Sequence, residues 1–283
     1  MPSDAAHHLS LHEAADLLGI HYMTVYRRVR LGILPARKIG GTWLIDPADL
    51  ERPTTTPDRG RRRRGSSHPR LSIWQERIQA RMLGGDVAGS WQVIEAAMAS
   101  GLEPGEIYVR VLAPSLHAIG ASWRSGRVSI DQEHLASNVA ATLIGRLGPR
   151  FVHPGRKKGV VIVAMPPGER HGLGVAMLAD ILADAGYGVL NLGPDTPTAS
   201  LVAAMRDAGS LAAVVVSVVD IERRTAAGRL LAAARRERPS VPRLVGGNAV
   251  PDEGLALALG ADGWVADPRG LGDLIEALQA RAR

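Results

Sequence analysis

The chain has 283 residues, of which 46% are hydrophobic and 22% charged, with no Cys and a formal net charge of +6. That length accommodates two or three domains, each with its own core. The composition fits a soluble globular protein, no apolar run approaches the ~20 residues of a membrane span, and the lack of Cys removes thiolates from the nucleophiles and metal ligands. The N-terminus has no basic start followed by an apolar core, so no signal peptide is expected and the chain reads as cytoplasmic, without a membrane partner.

Charge is unevenly placed. Residues 1–70 hold 12 Lys and Arg against 7 Asp and Glu, whereas the remaining 213 hold 22 against 21. The basic excess belongs to the first quarter and points to a polyanion partner there.

Ser10-Leu11-His12-Glu13 form an S-x-x-E capping box that opens a short helix with Leu11, Ala14, Ala15 and Leu18 on one face, ended by Gly19. A second helical stretch, "HYMTVYRRVRLG", turns Val25 and Val29 inward and leaves Thr24, Tyr26, Arg27, Arg28 and Arg30 outward. This is the layout of a helix-turn-helix with the second helix as reader. "LPARKIGGTWLI" predicts a hairpin around Gly40-Gly41, which places Arg37 and Lys38 on a wing, and Asp46-Pro47 opens a further helix. Residues 1–51 are therefore expected to form a winged helix-turn-helix that contacts double-stranded DNA. Residues 52–70, rich in Pro, Thr, Ser, Gly and Arg, read as a basic flexible linker; Arg61 to Arg64 either follow DNA phosphates or are a solvated charge run.

From 71 to 152 the pattern predicts a four-helix bundle, with helices near 71–83, 86–100, 104–123 and 130–148. From 157 to 283 strand candidates "GVVIVA", "GVLNL", "AAVVVSVV", "RLVG" and "DGWVA" alternate with Ala/Leu-rich helices. A flavodoxin-like, doubly wound parallel sheet of five strands is expected, with ligands at the carboxyl ends of its strands.

Glu169 and His171 fall in the loop after the first of these strands. A carboxylate that accepts one imidazole N–H fixes the tautomer and leaves the other nitrogen to a metal, although a lone E-x-H equally describes a structural loop histidine. The wider spacing separates the two. Glu169-x-His171-Gly172-x-Gly174 is followed after 42 residues by Ser217-x-Val219 and after 26 more by Gly246-Gly247, each at the end of a strand candidate.

This series resembles the D/E-x-H-x-x-G, S-x-L/V, GG signature of cobalamin-binding domains. The resemblance implies that His171 ligates cobalt in place of the cofactor's own dimethylbenzimidazole, and that the freed nucleotide tail enters a crevice lined by the Ser and the glycines. Residues 9–51 resemble the DNA-binding head of the MerR and excisionase families. In the bundle, Trp123 and Glu133-His134 are separated by nine residues, a W-x9-E-H pattern similar to that of CarH/LitR-type photoreceptor repressors, in which the Trp covers the upper corrin face and the Glu and His contact the adenosyl group. The order of winged helix, bundle and cobalamin domain matches the same family.

The resemblance implies a cobalamin-dependent transcriptional regulator and not an enzyme: a repressor that binds an operator in the adenosylcobalamin-bound state as a homotetramer, a dimer of dimers, and responds to light through photolysis of the cofactor. A light-independent cobalamin sensor and a corrinoid carrier for methyl transfer are the alternatives. Arg124 stands after the Trp where light-sensing members can carry a His, so water, hydroxide or a more distant His is expected on the upper cobalt face after illumination.

Overall fold

The computed structural model describes residues 8–18, 25, 29, 34–39, 42–51 and 71–281, and the chain divides into two compact units, Met1–Ser66 and Ser67–Arg283. In the first, β1 (Leu9–Ser10) leads into helix α1 (Leu11–Leu18), strands β2 (Arg37–Ile39) and β3 (Thr42–Ile45) follow, and α2 (Pro47–Glu51) closes the described part. The capping box forms: Ser10 N–H donates to Glu13 Oε2 at 2.7 Å and Glu13 N–H to Ser10 Oγ at 3.3 Å. Leu11, Ala14, Ala15, Val25, Val29, Leu34 and Ile45 share one buried core. β2 and β3 pair antiparallel with Ile39 opposite Thr42, and β1 adds to the other side of β3, a third strand that the sequence pattern does not reveal. Arg37 is exposed on β2. The reader positions Thr24, Tyr26, Arg27, Arg28 and Arg30, the side chain of Lys38 and the linker 52–70 lie outside the described residues.

The second unit begins with helices α3 (Leu71–Leu83) and α4 (Val87–Ala99). A continuous helical stretch, 104–124, then passes from a first turn through a π segment, Ile107–Leu112, into α5 (Ala113–Arg124), and α6 (Ile130–Leu147) follows. Asp86 caps α4 by accepting from Gly89 N–H at 2.7 Å, and Ser129 with Gln132 forms a capping box at α6. These helices bury Ile78, Met82, Ile94, Leu112, Val139 and Leu143 in one core, which continues into Met177 and Ile181 of the α/β part.

There, β4 (Val160–Ala164), β5 (Gly188–Gly193), β6 (Leu211–Ser217) and β7 (Arg243–Gly246) form a parallel sheet in the order β5-β4-β6-β7. Helices α7 (Gly172–Asp184), α8 (Thr198–Asp207), α9 (Arg224–Glu237), α10 (Glu253–Ala258) and α11 (Leu271–Arg281) complete the unit. β4 and β6 are central and buried almost throughout, in keeping with their unbroken apolar runs.

The expectation of five strands is corrected to four. "DGWVA" contributes one isolated parallel bridge, Leu244 to Gly263. Asp262 is held at the start of β7, where its carboxylate accepts from Arg243 N–H at 2.8 Å and pairs with the Arg243 guanidinium. Two residues later Trp264 donates from Nε1 to the Val250 carbonyl at 3.1 Å, and Pro268 opens a 3₁₀ turn. The segment therefore leaves the sheet edge and turns toward the carboxyl ends of the strands.

Candidate functional site

After β4 the chain runs through Gly168, Glu169, Arg170 and His171 before α7 begins. The loops after β5 and β6 fix this stretch. Asp195 donates its N–H to the Glu169 carbonyl at 2.9 Å and accepts the Gly168 N–H on Oδ1 at 2.7 Å; its φ of 53° is the left-handed conformation that Asp tolerates. Arg223 packs over Gly168, whose φ of +84° favours Gly; a Cβ there would lie 2.9 Å from the guanidinium and displace it.

Glu169 is fully buried at 0% exposure. Oε2 accepts the N–H groups of Val219 and Asp220 at 2.9 and 2.7 Å, and Oε1 accepts Arg170 N–H at 3.0 Å together with His171 Nδ1. Burial pushes this carboxyl up, but the Asp220 amide, the His171 imidazole and the Val219 amide together outweigh it and hold it below the ordinary carboxylate range. An ionised acceptor requires the proton on Nδ1, which leaves the lone pair on Nε2. The His171 side chain is 63% exposed.

A cavity of about 630 Å³ opens between the carboxyl ends of β6 and β7 and the helical stretch 104–124. It brings together Gly174, Ser217, Val219, Gly246 and Gly247 of the sequence-predicted residues. Glu169, His171 and Gly172 are not part of its wall; Glu169 reaches it through the Val219 amide. The paired glycines differ. Gly247 has φ +98°, and a Cβ there would stand 2.4 Å from the Val218 carbonyl oxygen, whereas nothing lies within 4 Å of a Cβ built at Gly246. The first glycine leaves room in the cavity and the second permits the turn.

Trp123 is 45% exposed near the end of α5. Glu133 and His134 lie early in α6, where Glu133 accepts from Ser137 Oγ at 2.7 Å and His134 Nε2 stands 3.9 Å from Glu133 Oε2. None of the three lines the cavity. Two contacts that the sequence does not advertise join the helical stretch to the α/β part beside it. Tyr108, in the π segment, donates its hydroxyl to Asp180 Oδ2 of α7 at 2.6 Å, and His117 Nε2 meets Asn248 Nδ2, next to the paired glycines, at 2.7 Å. Burial pushes the Tyr108 hydroxyl and the Asp180 carboxyl up, and pushes His117 down with help from the Arg124 charge. In sequence Tyr108 and His117 read only as helix positions, because a π turn leaves no composition signal.

Residues 9–52 match a helix-turn-helix domain family, and residues 74–147 and 159–270 match two families that are each described as a B12 binding domain. Over 143 residues the chain is 31% identical to the HTH-type transcriptional repressor CarH of Myxococcus xanthus, an alignment that spans 50% of this chain and 46% of that protein. The chain thus joins a helix-turn-helix match to two B12 binding domain matches. It is also 22% identical over 123 residues to monomethylamine corrinoid protein 2 of Methanosarcina acetivorans, covering 42% of this chain and 57% of that one. It thus spans about half the length of these curated relatives. The structure of the Methanosarcina barkeri monomethylamine corrinoid protein is similar at a TM-score of 0.61 and 19% identity, over 74% of this chain and 99% of that one, which shows a shared fold.

Proposed function

We propose that this chain is a CarH-type, cobalamin-dependent, DNA-binding transcriptional regulator rather than an enzyme, and that it acts in the cytoplasm as a light-responsive repressor. One observation carries the reading: a buried carboxylate ties an exposed histidine beside a glycine-opened cavity, in a chain that also holds a helix-turn-helix match. The residues fit the cofactor. His171 Nε2 offers a single imidazole nitrogen, which is what a cobalt already held by a corrin ring would take from the protein. Nothing lies within 4 Å of a Cβ at Gly174 or Gly246, which leaves open backbone where a tail can enter, and the cavity volume is ordinary for a cofactor portion.

His171 would hold cobalt through Nε2, with Glu169 fixing the tautomer and raising basicity. Ser217, Val219, Gly174, Gly246 and Gly247 would receive the nucleotide tail, Gly172 would adjoin the cofactor beside His171, and Trp123, Glu133 and His134 would meet the upper face. When bound, adenosylcobalamin supplies a cobalt–carbon bond that visible light breaks. The chain's own part is to hold the helical half against the sheet through Tyr108–Asp180 and His117–Asn248, contacts whose rearrangement is available to change assembly. In the adenosylcobalamin-bound state the protein assembles as a homotetramer, a dimer of dimers. Joined copies of one small DNA-binding head gain ~100- to 10,000-fold in avidity when half-sites match their spacing. Thr24, Tyr26, Arg27, Arg28, Arg30, Arg37 and Lys38 would contact the operator, with half-sites near multiples of one helical turn, ~10 base pairs apart.

Light scattering paired with a DNA-shift assay on apo, dark holo and illuminated protein tests this. The expected result is assembly and operator binding in the dark holo state, both lost on illumination. Operator binding that is equal in apo and dark holo protein contradicts it. A corrinoid methyl carrier is the second reading, favoured by the similarity to a corrinoid protein over 123 residues; the basic head counts against it, and failure to retain any specific DNA would favour it.

A further inference from the structure

We infer that the cavity selects corrinoids by their lower base, taking a benzimidazole-type base and disfavouring a purine. This rests on the reading of the cavity as the seat of the nucleotide tail. The polar side chains of its wall are nearly all engaged within the protein. Tyr108 donates to Asp180 at 2.6 Å, and Trp264 donates to the Val250 carbonyl at 3.1 Å. His117 and Asn248 hold each other at 2.7 Å, with Asn248 at the exposed rim. Ser217, 7% exposed at the end of β6, is the remaining polar side chain of the wall, and among the described residues its hydroxyl has no hydrogen-bond partner. The remaining side chains of the wall are apolar, among them Met177 and Leu178 from α7 and Val215 and Val245 from the sheet.

A benzimidazole released from cobalt has one in-plane acceptor nitrogen and otherwise only C–H and methyl groups at its edge. One hydroxyl donor meets that single need. Adenine in the same place brings an exocyclic amine and further ring acceptors. Ser217 can answer one of these, and the others lose water without replacement. An apolar pocket discriminates against an added polar group to a limited extent, so the adenine-tailed corrinoid is expected to bind roughly 10- to 100-fold more weakly than cobalamin.

The test is equilibrium titration of the full chain, followed by tryptophan fluorescence and absorption, with three probes: cobalamin, the corrinoid that carries adenine in place of dimethylbenzimidazole, and tailless cobinamide. The expected order is cobalamin tightest, with the adenine-tailed form weaker by the stated factor. Equal affinity for the two tailed corrinoids overturns the inference and leaves the cobalamin reading intact. Cobinamide binding as tightly as cobalamin overturns the seat of the tail, and with it the inference. No binding of any of the three overturns the proposed function itself.

Discussion

Glu169→Gln removes one acceptor oxygen and adds a donor at a site that faces donors on both sides. If the amide oxygen turns to Val219 and Asp220, which stand 2.9 and 2.7 Å from the present Oε2, the new NH₂ confronts Arg170 N–H and His171 Nδ1. The imidazole then moves its proton to Nε2 and loses the lone pair that a metal requires. If the oxygen turns the other way, the Val219 and Asp220 amides are orphaned. The first choice orphans the Arg170 N–H and reverses the His171 bond, the second orphans two amides, and at about 1.5–3 kcal/mol for each lost hydrogen bond to a charged acceptor a net loss of about 3 kcal/mol is expected. For a unit the size of Ser67–Arg283, that corresponds to a Tm lowered by about 6–12 °C. Cobalamin retention should fall by ~10- to 100-fold, less than in His171→Ala. Because the folded-state pKa of Glu169 lies below its ordinary value, the carboxylate stabilises above the unfolded pKa and that contribution is lost as pH falls through the folded one. The gap in Tm between wild type and Glu169→Gln should therefore close in acid, below the ordinary carboxylate range. Differential scanning fluorimetry of the ligand-free chain across pH checks both points, and an unchanged Tm at neutral pH would refute the view that this carboxylate organises the loop.

Adjacent glycines should behave differently: Gly247→Ala forces a Cβ to 2.4 Å from the Val218 carbonyl and should lower the thermal midpoint by several degrees, while Gly246→Ala should leave it in place and weaken cobalamin binding, as titration would show. Tyr108→Phe removes the hydroxyl that steadies Asp180, at a cost of about 1–3 kcal/mol. Since burial already raises the Asp180 pKa and this hydrogen bond opposes the rise, the destabilisation should be larger at neutral than at mildly acid pH, where Asp180 protonates; unfolding curves at the two pH values decide it. Neutralising Arg61 to Arg64 should weaken binding to all DNA sequences alike and flatten the salt dependence by up to ~0.9 per lost phosphate contact, whereas changing Arg27 or Arg28 should alter sequence preference; binding isotherms at several salt concentrations separate the two.

Much of the sheet was legible because β4 and β6 are apolar without interruption, a pattern that only strands covered on both faces require. The helices of the second unit were legible from their 3.6-residue periodicity and their Gly breaks at 84–85 and 101. "DGWVA" has a composition that suits a strand, but the Arg243–Asp262 pair anchors it to β7 for one bridge only before the Trp264 hydrogen bond, a tertiary contact, draws it off the sheet. β1 escaped notice because two residues carry no periodicity. At the site, the residues after each strand were legible as a spaced motif, and the link from Glu169 to His171 follows from their separation of two. The second hold, from Glu169 to the amides of Val219 and Asp220 some fifty positions away, uses backbone donors that any residue supplies. Tyr108–Asp180 and His117–Asn248 were hidden for the same kind of reason, since each pairs common side chains across a packing that only the fold creates.

Everything proposed for the site turns on His171 binding cobalt through Nε2. Electron paramagnetic resonance of the full chain loaded with cobalamin and reduced to the cobalt(II) state tests it most directly, using protein grown with ¹⁵N-labelled histidine. A protein imidazole on cobalt predicts that the nitrogen splitting changes from the triplet of unlabelled protein to a doublet, and that His171→Ala abolishes it. An unaltered triplet in labelled protein, or a His171→Ala spectrum identical to wild type, would contradict the account.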